Sequence, residues 1–238
     1  MTKDEFINEV LKLGIILDDE KLHKLDIFYH LLIYWNKKIN LTTIVKEEEV
    51  YLKHFYDSLT LVKAVNLQDN LTLLDVGTGA GFPGIVLKIV FPNLKITLLD
   101  SLNKRINYLN EIIKELELTG IDTVCYRCED YVKNNREKYD IVVARAVSSL
   151  QVLSEIIIPT VKVNGVFIAM KSSVDYEIDN SLDIIKKLDS KIENIIEFNL
   201  PIENSKRNLV VIRKLKPTNL KYPRNYSVIK KKFKKVKY

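Results

Sequence analysis

The stretch Leu73-Leu-Asp-Val-Gly-Thr-Gly-Ala-Gly-Phe-Pro-Gly84 runs from an apolar segment into four glycines, a composition typical of a ligand-binding turn. It fits two templates. Its last three glycines match the G-x-G-x-x-G pattern of dinucleotide-binding turns, whereas Asp75 and the first three glycines match an acidic-x-G-x-G-x-G pattern. Spacing alone therefore leaves the ligand of this turn open.

The charge of Asp75 distinguishes the two templates. A pyrophosphate rests against the amides at the N-terminus of the following helix, where an ionised carboxylate would repel it. S-adenosylmethionine has no phosphate and carries a cationic sulfonium and an ammonium group, so a carboxylate there is attractive. Glycines such as Gly77 and Gly79 let the chain turn tightly and lie close to the ligand. The stretch therefore favours S-adenosylmethionine.

Two further acidic positions follow predicted strands. Asp100 ends the second strand, where a carboxylate can accept hydrogen bonds from both ribose hydroxyls, and Glu129-Asp130 follows the third strand, where it could meet the adenine side. A single strand-end Asp is often only a turn or helix cap. Three such positions on successive strands, with four glycines after the first, favour a methyl-donor site.

The two cysteines form Cys125-Tyr-Arg-Cys128, which matches a C-x-x-C pattern. A redox pair of this kind usually opens a helix, but Cys125 closes a strand-like run, and the acidic residues that follow would raise the thiol pKa. A zinc site needs two more ligands, and the three histidines all lie far back in the sequence. We expect no redox or metal role and interpret both cysteines as ordinary strand-end residues.

These candidate residues need a sheet to position them. Residues 3–65 read as helices, because apolar residues recur at three-and-four spacing and no Gly or Pro occurs between Ile15 and Asn70. From Leu71 onward strands alternate with helices, which predicts a mostly parallel, Rossmann-like α/β sheet sandwiched by helices. Five strands are predicted over 71–75, 95–100, 121–126, 139–143 and 166–170. An antiparallel pair is expected near 192–198 and 209–213.

Composition describes a globular chain with an uneven charge. The 238 residues are 47% apolar, no apolar run is long enough for a membrane span, and the N-terminus lacks the layout of a signal peptide, so we expect a cytoplasmic protein with no membrane contact. The net charge is +6, yet residues 206–238 hold thirteen Lys or Arg and no Asp or Glu, which leaves −7 for residues 1–205. The basic end is either a solvated tail or a nucleic-acid contact.

Motifs along most of the chain closely resemble the bacterial 16S ribosomal RNA small-subunit methyltransferase G family, also called GidB. Besides the glycine stretch with its Gly-Phe-Pro-Gly ending, the resemblance rests on Trp35–Thr42, Lys53–Leu59, Thr97–Arg105, Tyr139–Ala146, Lys206–Lys214 and Lys221–Arg224. The resemblance implies a class I methyltransferase sheet with an N-terminal helical extension. It further implies methylation of guanine N7 at family position 527, in the 530 loop of 16S rRNA, with S-adenosylmethionine as the cofactor.

Carried over position by position, the resemblance implies cofactor contacts through five residues: Gly77, Phe82, Cys128, Glu129 and Arg145. The turn argument adds Gly79, and the charge argument adds Asp75 and Asp100. The family commonly has a small residue where this chain has Cys128, so we expect a backbone contact there. Arg145 could bind the methionine carboxylate, or could be an arginine that only pairs with a carboxylate.

The implied chemistry needs no catalytic side chain, because guanine N7 has an in-plane lone pair and loses no proton on methylation. It needs alignment of the reacting atoms, for which Arg145 and Lys171 are the positioning candidates. Loop RNA is recognised through unstacked bases and phosphate contacts. The predicted RNA-side residues are Lys171, Arg207, Tyr222, Arg224, Lys230, Lys231 and Lys232, with the rest of the tail to Tyr238. His54 and Asn40 also match the family, but the sequence does not indicate a role for either residue.

The predicted organisation is a helical unit over residues 1–66 packed on a methyltransferase domain over 67–215, followed by a basic tail over 216–238. The expected partner is 16S rRNA or the small-subunit particle, and we expect a monomer. A small-molecule methyltransferase shares every cofactor feature, and only the basic end and the family resemblance oppose it. A nicotinamide-dependent oxidoreductase is the rival of another class, and Asp75 opposes it.

Overall fold

The N-terminal part of the chain folds into two capped helices. The computed structural model describes residues 1–145 and 148–233, and its first helix, α1, spans Lys3–Lys12. Thr2 caps α1: its side chain accepts from the Glu5 amide while the Glu5 carboxylate accepts from the Thr2 amide, a reciprocal capping box. Helix α2 spans Asp19–Ile39, and Asn40 ends it in the left-handed conformation at φ 48°.

The end of the helical region that was predicted over residues 3–65 is composite. Helix α3 covers Glu47–Val50, a π-helical turn covers Tyr51–Tyr56, helix α4 covers Asp57–Leu59 and a 3₁₀ turn covers Thr60–Lys63. The rings of Phe6, Phe28, Tyr51 and Phe55 pack together where these helices meet. A π turn widens the helix by one residue and is frequent at functional sites.

Seven strands form one sheet within the described residues. They are β1 (Thr72–Val76), β2 (Lys95–Asp100), β3 (Ile121–Cys125), β4 (Tyr139–Arg145), β5 (Val161–Lys171), β6 (Ser190–Asn199) and β7 (Lys206–Lys214). Their order is β3-β2-β1-β4-β5-β7-β6, with β7 antiparallel to both β5 and β6 and all other neighbours parallel. The predicted mostly parallel sheet with an antiparallel edge pair is therefore confirmed. The strand order switches direction between β1 and β4, where open α/β sheets bind ligands.

The sheet has two apolar faces, each covered by helices. Strand side chains alternate between them, so Ile141 and Val143 join the cluster that contains α1, α2 and the π turn, whereas Val142 and Ala144 join the cluster beneath the C-terminal helices. The same alternation turns Arg145 towards the N-terminal helices. Arg207 shares that face, since it continues the series of Leu209 and Val211 on β7.

The remaining helices connect the strands. They are α5 (Gly84–Val90), α6 (Asn103–Glu115), α7 (Cys128–Tyr131), α8 (Leu150–Ile157), α9 (Glu177–Lys187) and α10 (Tyr226–Phe233), with 3₁₀ turns at Val132–Asn134 and Ile158–Thr160. Helix α6 ends at Glu115, and Glu117 soon after it takes a left-handed φ of 50°. No helix within residues 1–145 and 148–233 is long and apolar enough to cross a membrane.

Much of the segment that was predicted as a basic tail is folded against the rest of the protein. Helix α10 lies against α8 with Ile229 fully buried, and Tyr222 is 7% exposed in the cluster beneath α8 and α9. Residues 234–238 of the predicted tail, and Ala146 of the motif after the fourth strand, lie outside the described residues. The three-part division of the chain stays a prediction.

Candidate functional site

The glycine turn lies between β1 and α5, at the carboxyl edge of the sheet. Gly77, Gly79 and Gly81 all have positive φ, which L side chains adopt at a cost. At Gly81 a Cβ would also lie 2.6 Å from Cγ1 of Ile85, so both the backbone conformation and the lack of space favour glycine there. The glycine turn therefore presents backbone atoms, and not side chains, to a ligand bound at the carboxyl edge of the sheet.

Asp75 holds this turn from below instead of facing its ligand. Its Oδ2 accepts from the Thr78 hydroxyl at 2.7 Å and from the Gly84 amide at 2.9 Å, and its side chain is fully buried. Burial raises the pKa of this carboxyl to about 6, and Oδ1 has no hydrogen-bond partner among the described residues. Because Asp75 lines neither of the cavities described below, the predicted direct contact is corrected to support of the turn, with its charge acting from beneath.

Asp100 is likewise engaged within the protein. It ends β2, is 3% exposed, and accepts from the amides of Gly79 and Leu102 at 3.1 and 3.0 Å. The guanidinium of Arg105 donates to the same carboxylate at 3.1 Å. Asp100 thereby ties the glycine turn to the second strand, and it still lines a cavity, as the ribose prediction requires.

Two cavities meet at Gly77, one on each side of the turn. The Arg145 cavity, of about 380 Å³, lies between the turn and the N-terminal helices. Its polar lining includes Thr42, Lys53, His54, Asp57, Thr78, Arg145, Lys171, Ser172 and Arg207. The Glu129 cavity, of about 180 Å³, lies between the ends of β2 and β3 and helix α8. It is lined by Asp100, Ser101, Cys128, Glu129, apolar residues of α8, and Tyr226.

An ion-paired network holds the Arg145 cavity together. Asp57, 4% exposed, accepts from Arg145 Nη1 at 3.2 Å through Oδ2 and from Arg207 Nε at 3.2 Å through Oδ1. Arg145 Nη1 also donates to the Lys53 carbonyl at 3.2 Å, and its guanidinium lies 5.3 Å from the centroid of the Phe82 ring. Arg145 therefore pairs with a carboxylate and faces the cavity at once, so both sequence interpretations describe part of its environment.

His54 completes this network as a neutral ring. It stacks on Phe82 with centroids 4.4 Å apart, and burial, followed by the charge of Arg145, lowers the pKa of His54 to about 3. Arg145 Nη2 lies 3.3 Å from Nδ1, and because a guanidinium can only donate, Nδ1 accepts. The ring proton is then on Nε2, which donates to the Thr42 hydroxyl at 3.0 Å. Both ring nitrogens are thus engaged.

The predicted residues after β3 lie in the Glu129 cavity. Glu129 is half-buried there, with Arg127 Nη1 at 4.0 Å from its carboxylate. Cys128 begins helix α7 and is not a strand-end residue, whereas Cys125 does end its strand. Burial and the neighbouring Glu129 raise the pKa of the Cys128 thiol, the direction that the sequence predicted. Within residues 1–145 and 148–233, no three His, Cys, Asp or Glu side chains are grouped to hold a metal.

The predicted RNA-side residues separate into different environments. Lys171 lines the Arg145 cavity but donates to Glu177 and to the Ser148 carbonyl at 2.7 and 2.8 Å, so a phosphate would have to displace an existing pair. Arg207 shares Asp57 and lines the same cavity. Lys230, Lys231 and Lys232 are exposed on α10.

Tyr222 and Arg224 hold the C-terminal segment in place, which corrects the predicted RNA contact of Tyr222, while that of Arg224 stays a prediction. Tyr222 is buried, and its carbonyl accepts from Arg136 Nη1 at 2.6 Å. Arg224 Nε donates to the fully buried carboxylate of Glu155 at 2.7 Å. The Tyr222 ring is therefore closed off from a phosphate, whereas the guanidinium of Arg224 is 27% exposed and would have to leave Glu155 to bind one.

Several cavity residues had no predicted role. Lys53 and Asp57 both lie within the Lys53–Leu59 motif. His54 and Asp57 are three residues apart in a predicted helix, and this spacing could have indicated that their side chains share one face of the helix. No local sequence pattern could have predicted that Tyr226 lines the Glu129 cavity, because its position depends on the path of the chain after β7.

Comparisons with known proteins agree on one family. The family model described as rRNA small subunit methyltransferase G matches residues 21–210. The chain is 52% identical over 213 residues to the "Ribosomal RNA small subunit methyltransferase G" of Acetivibrio thermocellus, covering 89% of this chain and 88% of the relative. It is 47% identical over 228 residues to the protein of the same name from Bacillus subtilis, covering 94% and 95%.

Solved structures share the fold at low identity. One is a SAM-dependent methyltransferase from Aquifex aeolicus, with a TM-score of 0.55 and 18% identity over 71% of this chain and 94% of that one. Another is a precorrin-6y C5,15-methyltransferase from Geobacter metallireducens, with a TM-score of 0.52 and 16% identity over 74% and 92%. These matches support the Rossmann-like methyltransferase fold.

Proposed function

The chain belongs to the rRNA small subunit methyltransferase G family, and from that premise we propose that it transfers a methyl group from S-adenosylmethionine to N7 of a guanine in 16S rRNA. The proposed position is the one implied by the family resemblance, in the 530 loop. The observation that carries the proposal is the meeting of two cavities at Gly77, one bordered by Asp100 and Glu129 and the other by Arg145 and Arg207.

The residues around the glycine turn fit S-adenosylmethionine. The positive-φ glycines present backbone close to the ligand, and an added Cβ at Gly81 would collide with Ile85. Within residues 1–145 and 148–233, one carboxylate oxygen of Asp75 beneath the turn has no hydrogen-bond partner, which favours a cationic ligand over a pyrophosphate. We propose that Gly77, Gly79 and Phe82 border the methionine part, and that Asp100, Cys128 and Glu129 border the adenosine part.

S-adenosylmethionine supplies an activated methyl group when bound. The chain's own task is to place guanine N7 in line with that group, since N7 loses no proton and requires no base. The state of His54 agrees with this: its ring is neutral, and both of its nitrogens are already hydrogen-bonded to Arg145 and Thr42. The proposal thus assigns positioning, not proton transfer, to the side chains of the Arg145 cavity.

Arg145 is the proposed anchor for the methionine carboxylate. Asp57 and the Phe82 ring fix its guanidinium at the edge of the glycine turn, which reduces the conformational entropy lost on binding. A guanidinium has five N–H donors, and those of Arg145 that are not used within the protein can bind a carboxylate.

We assign the RNA side to the Arg207 end of the same cavity and to α10. Arg207 borders the Arg145 cavity from β7, beside the place where a loop base would have to enter. Exposed Lys230, Lys231 and Lys232 offer phosphate contacts at the sheet's carboxyl edge. Lys171 is reassigned to positioning, because Glu177 already neutralises it.

We further propose that the enzyme acts as a cytoplasmic monomer on 16S rRNA or on the small-subunit particle. Both apolar clusters of the described residues are buried within one chain, which supports a monomer. The sedimentation of the purified chain at micromolar concentration tests this directly.

The proposed activity is tested by incubating the purified chain with methyl-labelled S-adenosylmethionine and small-subunit particles or free rRNA. We expect label in 16S rRNA and none in a small-metabolite fraction. Label found only in small molecules would replace the proposal with a small-molecule methyltransferase. Thermal stabilisation by NAD but not by S-adenosylmethionine would replace it with an oxidoreductase.

A further inference from the structure

Helix α10 forms one wall of the Glu129 cavity, although it comes from the far C-terminal end of the chain. Tyr226, its first residue, lines that cavity together with Asp100, Cys128 and Glu129. Its side chain is 36% exposed, so the ring borders the cavity without being closed into the core. An aromatic ring beside a purine site can stack on the base or cover the ribose.

The chain just before α10 is firmly anchored. Arg136 donates to the carbonyls of Thr218 and Tyr222 at 2.6 Å each. Both the backbone amide and Nε of Arg224 donate to Glu155 Oε1, at 3.1 and 2.7 Å. Since Glu155 lies on α8, which also lines the cavity, the segment that leads into α10 is anchored beside the site, and α10 itself begins two residues after the last of these anchors.

The two faces of α10 differ in chemistry. Tyr226, Ile229 and Phe233 recur at helical spacing; Ile229 is fully buried and Phe233 packs on the cluster beneath α8 and α9. Lys230 and Lys231, which lie between Ile229 and Phe233 in the sequence, are exposed to solvent. One short helix therefore carries a cavity-lining ring at its start and exposed cationic groups one turn later.

We propose that Tyr226 contacts the adenosine part of the cofactor and that α10 thereby couples cofactor binding to RNA binding. A bound adenosine gives α10 a contact that the free protein lacks, which holds Lys230 and Lys231 in one position. Phosphates held by those lysines favour the same position of the helix. Because such coupling is reciprocal, RNA raises cofactor affinity by the same factor. The inference rests on the proposed function, since it takes its two ligands from it.

The cofactor half is tested by calorimetric titration of the full-length protein with S-adenosylhomocysteine. We expect Tyr226→Ala to weaken binding about tenfold, the effect of losing an aromatic stacking partner. Tyr226→Phe keeps the ring and should bind as the wild type does. Tyr34→Ala, at an exposed tyrosine of α2, is the matched control and should also bind normally. Unchanged affinity in Tyr226→Ala would overturn the contact.

The coupling half is tested by binding of a labelled 16S rRNA fragment with and without saturating S-adenosylhomocysteine. The wild type should bind RNA about fivefold more tightly with it. The double variant Lys230→Gln/Lys231→Gln should lose this gain. The control Lys95→Gln/Lys114→Gln, which removes two exposed lysines away from α10, should retain it. A gain of the same size in both double variants, or no gain in the wild type, would overturn the coupling.

A separate readout distinguishes failure of this inference from failure of the proposed function. Methyl transfer to rRNA by the wild type, with no effect of Tyr226→Ala on cofactor affinity, would reject the inference alone. Absence of methyl transfer to any rRNA substrate, with Tyr226→Ala still weakening S-adenosylhomocysteine, would reject the proposed function and leave the cofactor contact in place.

Discussion

Asp57 connects two arginines that come from strands far apart in the sequence. It accepts from Arg145 on β4 and from Arg207 on β7, and it lies on the short helix that follows the π turn. Without it, two guanidinium groups would remain close together with no carboxylate between them. At the scale of single residues, this carboxylate is the main determinant of the shape and charge of the Arg145 cavity.

We expect Asp57→Asn to reduce kcat/KM for methyl transfer about a hundredfold, because the arginines lose their fixed positions. The free energy of unfolding should fall by about 2 kcal/mol, less than for a fully buried pair, since both arginines are partly exposed. Steady-state kinetics and urea unfolding measure the two effects. Asp26→Asn is the control, as Asp26 pairs with Lys3 at the surface; it should change neither quantity appreciably. Full activity of Asp57→Asn would contradict this role.

The depressed pKa of His54 gives a pH dependence of stability with a defined sign. The folded imidazole titrates at about 3, against 6.5 for an ordinary histidine, so the unfolded chain binds a proton that the folded chain does not. The stability due to neutral His54 is therefore present above pH 6.5 and is lost as the pH falls towards 3.

Comparison with His54→Gln isolates this contribution. The stability advantage of the wild type over the variant should shrink on acidification below pH 6.5, by up to about 1.4 kcal/mol per pH unit. Asp75, whose raised pKa gives the opposite trend, is common to both proteins and cancels in the difference. His30→Gln, at an exposed histidine, should show no such change. An advantage that stays constant between pH 7 and pH 4 would contradict the assignment of a neutral, buried ring.

At the scale of secondary-structure elements, the start of α5 determines how closely that helix approaches the sheet. Gly84 begins α5, and its amide donates to Asp75 at 2.9 Å. A Cβ at this position would collide with the side chain of Leu98 on β2 and lie 2.9 Å from Asp75 Oδ2. The helix can therefore support the glycine turn only with glycine at its first residue.

Gly84→Ala should lower the free energy of unfolding by about 2 kcal/mol and weaken S-adenosylmethionine binding, because α5 must move away from β1 and β2. Gly14→Ala is the control: a Cβ at Gly14 meets no atom within 4 Å, so only the strain of its positive φ, about 1 kcal/mol, is expected. Cofactor binding should remain normal in that variant. Calorimetric titration and thermal unfolding of both proteins provide the comparison, and equal cofactor affinities would contradict the prediction.

The sequence predicted the elements better than the contacts between them. Alternation of strands and helices, with period-two and period-3.6 patterns, was sufficient to predict the succession of elements along the chain and a mostly parallel sheet, because these patterns are local. The composite helix over residues 47–63 was not predictable, since a π turn leaves no clear periodic sign. The predicted role of Asp75 changed because charge shows what a residue attracts, whereas its orientation depends on the neighbouring strand and helix.

The same limit applies to the basic end of the chain. The basic end and its Lys221–Arg224 motif led to the prediction of Arg224 and Tyr222 as RNA contacts, but Arg224 pairs with Glu155, which lies 69 residues earlier in sequence, and Tyr222 is buried. Pairings across such separations depend on topology that composition does not encode. Asp57, 150 residues from its partner Arg207, was missed for the same reason.

At the scale of the whole molecule, charge is divided between an acidic body and a basic end. Residues 1–205 carry a net charge of −7, and residues 206–238 contain only basic charges. An RNA backbone should therefore be attracted to one end of the chain, and its affinity should fall steeply as salt rises.

Truncation after Phe233 removes Lys234, Lys235 and Lys237 while keeping buried Ile229. The slope of log affinity for rRNA against log salt concentration should become shallower by about 2, from the loss of up to three phosphate contacts. Replacing the same three lysines by glutamine in the full-length chain should give the same change, which separates charge from chain length. An unchanged slope in both proteins would show that these lysines do not contact RNA.

The most direct test of the central claim is to map N7-methylguanine in 16S rRNA from a strain that lacks this gene and from the same strain carrying it again. Borohydride reduction followed by aniline cleaves RNA at N7-methylguanine, and primer extension locates the cut. The proposed function predicts one cleavage site in the 530 loop that disappears with the gene, returns with the wild-type gene and is weaker with Asp57→Asn than with the wild type. A cleavage pattern that is the same with and without the gene would contradict it.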